Sequence, residues 1–173
     1  MNAITTTYFN IDEYVPKDAG TWGWSPVPNN GRRITSRSDA EAKMVEHKAF
    51  LKELGLDRAP QLRIVEDVKT FTHASLIGYS DVQAFEIVNV ISDKTLEIRR
   101  MDTEHDVSHL EFVKGGFCGT VINQQNQKVT YKSNPSAPVI RIRRKKNNPE
   151  AWTANGSKFT LGTEPYAFYD FNF

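Results

Sequence analysis

From residue 61 onward the chain is a series of short segments in which apolar and polar residues alternate, and each segment ends at a turn. The clearest pair covers 84–91 and 94–101, joined by the turn Ser92-Asp93. A period of two puts one set of side chains on a buried face and the other in solvent, as in an antiparallel strand. Short strands separated by Gly, Asn and Pro turns are typical of a strongly bent antiparallel sheet or a small SH3-like barrel. Further strands are predicted over 61–66, 72–79, 117–122, 128–132, 139–144 and 158–171.

One amphipathic helix is predicted over residues 38–54, where the apolar spacing changes to three and four. Ser38 and Glu41 have the spacing of a capping box at its start, and Gly55 is the usual residue just beyond a helix end. The predicted apolar stripe consists of Ala40, Met44, Val45, His47, Phe50, Leu51 and Leu54. The fold class is therefore α+β, mostly β, with one helix covering a sheet.

Residues 1–37 are rich in Gly, Pro and Asn, and these residues favour turns and extended backbone. We interpret the segment as an extended arm, followed by a single β-rich domain over residues 38–173. Trp22 and Trp24 would anchor the arm, either on its own domain or on a partner, because tryptophan supplies a large buried area.

The composition says more about the cellular compartment of the protein than about any reaction it could catalyse. The chain has 173 residues, a net charge of +1 and a single cysteine, Cys118. One cysteine excludes an intramolecular disulfide and indicates a reducing compartment. The first ten residues lack the features of a secretory signal, and no apolar run approaches the ~20 residues of a membrane span. We expect a cytoplasmic protein with no membrane partner.

Two stretches have a resemblance to known sequences. Tyr79-Ser80-Asp81, the strand over 85–90 and the run from Lys94 to Arg100 form the first, and Leu161-Gly162 with the aromatic end 166–173 forms the second. Together they resemble small uncharacterised accessory proteins of tailed phages and prophages, over about residues 72–173. The resemblance implies a phage protein acting in the cytoplasm of a bacterial host, and it implies no site residues.

Signatures of catalysis are absent from the sequence. There is no glycine-rich phosphate loop, nucleophile elbow, H-E-x-x-H or C-x-x-C motif, so no catalytic residue and no cofactor is predicted. His105 and His109 stand four apart among three carboxylates, a grouping that suits a divalent metal if it is helical and a solvated loop if it is not. We predict no metal site, and a small metal-dependent enzyme stays an alternative.

The basic run 141–146 is the most distinctive charge feature of the chain. If the strand carrying it lies beside the strand that ends in Arg99 and Arg100, the two form a cationic stripe suited to phosphates. Tyr131 and Trp152 would then be available for base stacking. Surface charge that protects an edge strand is the alternative interpretation. The predicted partner-binding residues are Arg99, Arg141, Arg143, Arg144, Lys145, Lys146, Trp22 and Trp24.

The C-terminal residues 166–173 include five aromatic side chains. Phe171 and Phe173 would fill the barrel core as part of the last strand, or the tip would be gripped by a partner. Taken together, the sequence predicts a non-enzymatic phage protein that attaches to a host protein or protein–nucleic-acid complex and inhibits or modulates it, for example a CRISPR-Cas or restriction system. A nucleic-acid-binding module is the alternative. The oligomeric state stays open.

Overall fold

A computed structural model describes residues 2–16, 22–27, 34–55, 61–114, 119–146 and 148–172. The contacts divide the chain into two compact units, a smaller one of residues 5–69 and a larger one of residues 1–4 and 70–173. The predicted boundary after residue 37 falls inside the smaller unit.

Within the described residues the chain forms one α-helix and thirteen β-strands. The helix is α1 (Arg37–Glu53). The strands are β1 (Ile4–Pro16), β2 (Trp22–Pro26), β3 (Leu62–Phe71), β4 (His73–Ile77), β5 (Val82–Ser92), β6 (Thr95–Arg100), β7 (Asp102–Asp106), β8 (Phe112–Lys114), β9 (Gly119–Val121), β10 (Lys128–Lys132), β11 (Val139–Lys145), β12 (Asn148–Ala154) and β13 (Ser157–Gly162). A short 3-10 turn covers Gln124–Asn126.

A closed barrel of six antiparallel strands forms the centre of the larger unit, in the order β11-β12-β13-β4-β5-β6. Pairing of β6 with β11 closes it. Leu96, Ile98 and Ile142 have no solvent exposure, and they lie in its interior with Ile87. The predicted fold, mostly β with one helix and a small barrel, is confirmed.

Two two-stranded sheets and the C-terminal segment lie outside the barrel. Strand β7 pairs with β10, and β8 pairs with β9. Ala84, Met101 and Ala167 form a second core with the partly buried Val129 and Tyr131. Ala84 of barrel strand β5 is therefore buried by contacts with residues outside the barrel.

Of the segment 158–171 that was predicted as strand, only the part up to Gly162 is strand, in β13. The chain is irregular over residues 163–172, and within this described part Phe168 makes a bridge with Val82. Phe171 does not fill the barrel core, since its ring packs on Phe112 and Tyr169 at centroid distances of 6.2 and 4.8 Å. Phe173 lies outside the described residues.

The smaller unit contains a three-stranded sheet in the order β2-β1-β3, together with α1. Ile11, Ile34 and Ala40 form its core, and partly buried apolar side chains pack around them: Phe9, Val27, Met44, Leu62 and Ile64. The predicted arm therefore contains two paired strands, β1 and β2.

The N-cap of helix α1 lies two residues before the predicted cap, Ser38. Ser36 is the N-cap, and its hydroxyl accepts from the backbone N–H of Asp39 at 3.4 Å. The predicted Ser38–Glu41 box is wrong, because the Glu41 carboxylate accepts from the Arg37 guanidinium instead. The end is as predicted: Gly55 has a φ of +73°, a conformation that glycine adopts without strain.

The predicted apolar stripe of α1 is only partly confirmed. Ala40 and Leu51 are buried, whereas Leu54 is exposed. Val45 and Phe50, which were predicted to widen the stripe, are exposed as well. Among the described residues, no helix combines the length and the apolar content that crossing a bilayer requires.

Candidate partner-binding face

Strand β11 contains most of the predicted basic run, and its side chains alternate between exposed and buried or partly buried positions. Arg141, Arg143 and Lys145 are exposed, whereas Ile142 is fully buried and Arg144 is partly buried. Side chains two apart share a face of a regular strand, so Arg141 and Arg143 lie on the exterior of the barrel. The pairing of β11 with β12 shifts register between Arg144 and Lys145, and Lys145 is exposed beyond that shift. Lys146 is exposed in the turn that follows.

Two of these arginines are neutralised by carboxylates of the same chain. Arg141 Nη2 donates to Glu97 Oε1 at 2.8 Å, which follows from the register that places Arg141 opposite Glu97. The hydrogen bonds from Arg141 and from Asn89 hold the pKa of Glu97 below its ordinary value. Arg144 Nη2 donates to Asp93 Oδ2 at 3.0 Å.

Arg99 belongs to a buried polar cluster on the barrel exterior. Its Nε and Nη2 donate to Glu86 Oε1 at 2.9 and 2.8 Å, and the Ser133 hydroxyl donates to the same oxygen at 2.7 Å. Burial alone would raise the pKa of Glu86, but the hydrogen bonds from Ser133 and Arg99 lower it overall. Arg99 is thus occupied within the molecule, and its side chain is only 22% exposed.

The other cations of the basic run are joined by a lysine from a different strand, Lys158 of β13, which the sequence alone does not place beside them. Arg143 lies opposite Thr153, and Thr153 lies opposite Lys158 of β13. Two strand spacings separate Arg143 from Lys158 by about 10 Å. Within the described residues no carboxylate pairs with either cation, and the same holds for Lys145 and Lys146. We call Arg143, Lys145, Lys146 and Lys158 the cationic face.

The two predicted tryptophans belong to the smaller unit. Trp24 is partly buried in β2, with the Arg63 guanidinium carbon 4.1 Å from the centroid of its ring and the Tyr14 ring at 5.4 Å. Backbone pairing places Trp22 opposite Pro16, and its side chain lies outside the described part of the chain.

The aromatic residues predicted to stack on bases are not available for stacking. Trp152 is only 3% exposed, opposite Phe159 within the barrel. Tyr131 is partly buried in the second core, and its hydroxyl accepts from the Ala167 backbone N–H at 3.1 Å. In β12 the residue paired with Arg143 is Thr153, so alternation places the Trp152 ring on the opposite face of the strand.

The segment of possible metal ligands is a strand followed by a turn, and His105 and His109 do not share a helical face. His105 lies in β7 with Nδ1 3.1 Å from Gln127 Oε1, and His109 Nε2 lies 2.6 Å from the carbonyl oxygen of Asn126. In the part of the chain that the structure describes, no three His, Cys, Asp or Glu side chains converge as a metal site. Cys118 lies outside that part.

Comparison of the chain with protein-family models, with curated proteins and with solved structures gave no significant match.

Proposed function

We propose that this is a non-enzymatic binding protein that attaches, through the cationic face, to an acidic surface of a host macromolecule and modulates it. The observation that carries the proposal is the set of four exposed cations that have no carboxylate partner within the described residues, beside three arginines that are paired. Opposite charge on a partner would steer the encounter and fix its register.

The cationic face favours an acidic protein over a nucleic acid. Glu97 and Asp93 lie on the neighbouring strand and turn, each in an ion pair that also leaves it partly exposed. These ion pairs interrupt the positive charge that a continuous phosphate backbone would follow, whereas a protein surface of mixed charge can match them. The burial of Trp152 removes the predicted stacking platform, and a net charge of +1 gives little general attraction for nucleic acid.

The host setting of the proposal comes from the sequence. The resemblance to accessory proteins of tailed phages supports a partner in the bacterial cytoplasm, and inhibition of a defence system such as CRISPR-Cas or restriction is the corresponding role. A phage inhibitor that occupies a protein surface requires no catalytic group.

The test is capture of partners from a bacterial lysate by three tagged proteins. The first is wild type, the second carries Arg143→Gln, Lys145→Gln and Lys158→Gln, and the third carries Lys43→Gln, Lys48→Gln and Lys52→Gln on the exposed side of α1. We expect a protein partner that the wild type and the α1 variant retain and that the face variant loses. Because charge attraction is screened by salt, retention should fall as ionic strength rises.

Nuclease treatment separates the two classes of partner. A captured protein that survives nuclease supports the proposal. Capture that nuclease abolishes, together with direct binding of labelled duplex DNA by the purified protein, would establish the nucleic-acid alternative. If the folded face variant retains every partner of the wild type, the cationic face is not the attachment surface.

A further inference from the structure

A polar cleft of about 190 Å³ lies in the larger unit, away from the cationic face in sequence and on different strands. It is bounded by the start of β5, the end of β6, strand β7 and the C-terminal segment. Its lining includes Asp81, Gln83, Arg100, Thr103, His105 and Tyr169.

Hydrogen-bond donors are in excess in this cleft. Within the described residues Arg100 has no ion-pair partner, and the side chains of Gln83 and Thr103 make no hydrogen bond. A guanidinium alone offers five N–H donors in a planar fork. The one carboxylate, Asp81, already uses Oδ1 to accept from the Asp170 backbone N–H at 2.8 Å.

The position of Asp81 is fixed by a tight turn after β4. The Gly78 N–H donates to the Asp81 carbonyl oxygen at 2.9 Å, and a Cβ on Gly78 would lie only 2.8 Å from that oxygen. Glycine is therefore required at this turn, because any side chain would force the two backbone segments apart.

The opposite wall of the cleft is equally well held. Phe168 and Val82 exchange backbone hydrogen bonds of 2.9 and 2.8 Å, and the Tyr169 N–H donates to Gln127 Oε1 at 3.1 Å. Gln127 Nε2 donates in turn to the Tyr169 carbonyl. A site whose walls are already ordered loses little entropy when a ligand binds.

We propose that this cleft binds the carboxylate or phosphate group of a small molecule, with Arg100 as its charge partner. A guanidinium binds either anion through two parallel hydrogen bonds. Gln83 and Thr103 supply neutral donors, and the aromatic wall at Phe168 and Tyr169 contacts the rest of the molecule. The cleft is smaller than the usual pocket for a drug-sized ligand, which limits the occupant to metabolite size.

Titration of the ¹⁵N-labelled protein at constant ionic strength tests this site with three probes: inorganic phosphate, acetate and adenosine monophosphate. We expect saturable shifts of the Arg100, Thr103 and Tyr169 amides. Arg100→Gln should weaken binding about tenfold, the usual loss for a charge-assisted hydrogen bond. Asp81→Asn keeps the acceptor for Asp170 and removes a negative charge, so it should tighten binding roughly threefold.

Arg143→Gln is the matched control, because it removes a cation from the cationic face and should leave the titration unchanged. Tighter binding of adenosine monophosphate than of inorganic phosphate would show that the organic part also contacts the cleft, and equal binding would show recognition of the anion alone. Absence of saturable shifts with all three probes would overturn the proposal. So would an Arg100→Gln titration identical to that of the wild type.

Discussion

Glu86 is the residue on which the polar contacts of the barrel exterior converge. It is only 9% exposed, and a single oxygen accepts from both Arg99 and Ser133. Glu86→Gln would remove the charge while keeping the shape, leaving the Arg99 guanidinium without its anion. Because hydrogen bonds to charged groups are the strong ones, we expect the free energy of unfolding to fall by about 2 kcal/mol. Urea unfolding of the two proteins measures the difference.

The control for that substitution is Glu97→Gln, which breaks the more exposed pair with Arg141. Solvent screens that pair, so the urea midpoint should move much less than it does for Glu86→Gln. Equal shifts for the two variants would show that the cluster around Glu86 contributes no more than an ordinary surface pair.

The pairing of individual side chains is the part of the site that sequence reasoning could not reach. Glu97 and Asp93 precede their arginine partners by 44 and 51 residues. Only the strand register brings them together, and nothing local in the sequence specifies that register. Lys158 was missed for the same reason, because its place beside Arg143 depends on the pairing of two further strands.

At the level of the helix, Ser36 and Ser38 are expected to differ in their contribution to stability, because only Ser36 is the N-cap of α1. Ser36→Ala should lower the free energy of unfolding by about 1 kcal/mol, since it leaves the Asp39 N–H without its acceptor. Ser38→Ala is the matched control and should cost less, because the Ser38 hydroxyl hydrogen-bonds the Ser36 hydroxyl, at 2.6 Å, and caps no backbone N–H of α1 within the described residues. Denaturation of both variants gives the comparison. A larger loss at Ser38 would return the cap to its predicted position.

For strand β11, neighbouring residues should respond in opposite ways to truncation. Ile142 is fully buried, so Ile142→Ala should cost about 3 kcal/mol through lost burial and a residual cavity. Arg143→Ala, one residue on and exposed, should leave the denaturation midpoint close to that of the wild type. Similar losses at the two positions would contradict the alternation of β11 between the interior and exterior of the barrel.

Strands with clear alternation were predictable, and strands without it were not. Strand β6 and strand β11 follow the period-two pattern, and both were predicted close to their observed bounds. Strand β7 consists of polar residues only, so the alternation of exposed and partly buried side chains along it does not appear as an alternation of polar and apolar residues in the sequence. Strand β12 was also missed, although Asn155-Gly156 is the favoured turn of a tight hairpin and both residues have positive φ.

For the molecule as a whole, acid should be destabilising from near neutral pH. Burial lowers the pKa of His73 from its ordinary value of 6.5, and hydrogen bonds outweigh burial in lowering that of Glu86. In both cases the folded state binds fewer protons than the unfolded state. Stability therefore rises with pH across each window, and is lost as pH falls, first for His73 and then, below about 4.5, for Glu86.

Urea midpoints at pH 8, 6.5, 5 and 4 test this pH dependence. His73→Gln has no charge at any of these values, so the variant should lose less stability than the wild type between pH 6.5 and 5. An identical fall in the two proteins over that interval, or a rise on acidification, would show that His73 is not the group concerned.

The closed barrel determines which substitutions its outer surface can accept. Every strand of the ring has a neighbour on both sides, so its backbone offers no free edge to a passing chain. A partner can be recognised there only through side chains that point outward. Since those side chains alternate with the buried ones, substitutions at positions such as 143 and 158 leave the interior untouched. Outward residues of the ring can thus be replaced one at a time while the architecture stays the same.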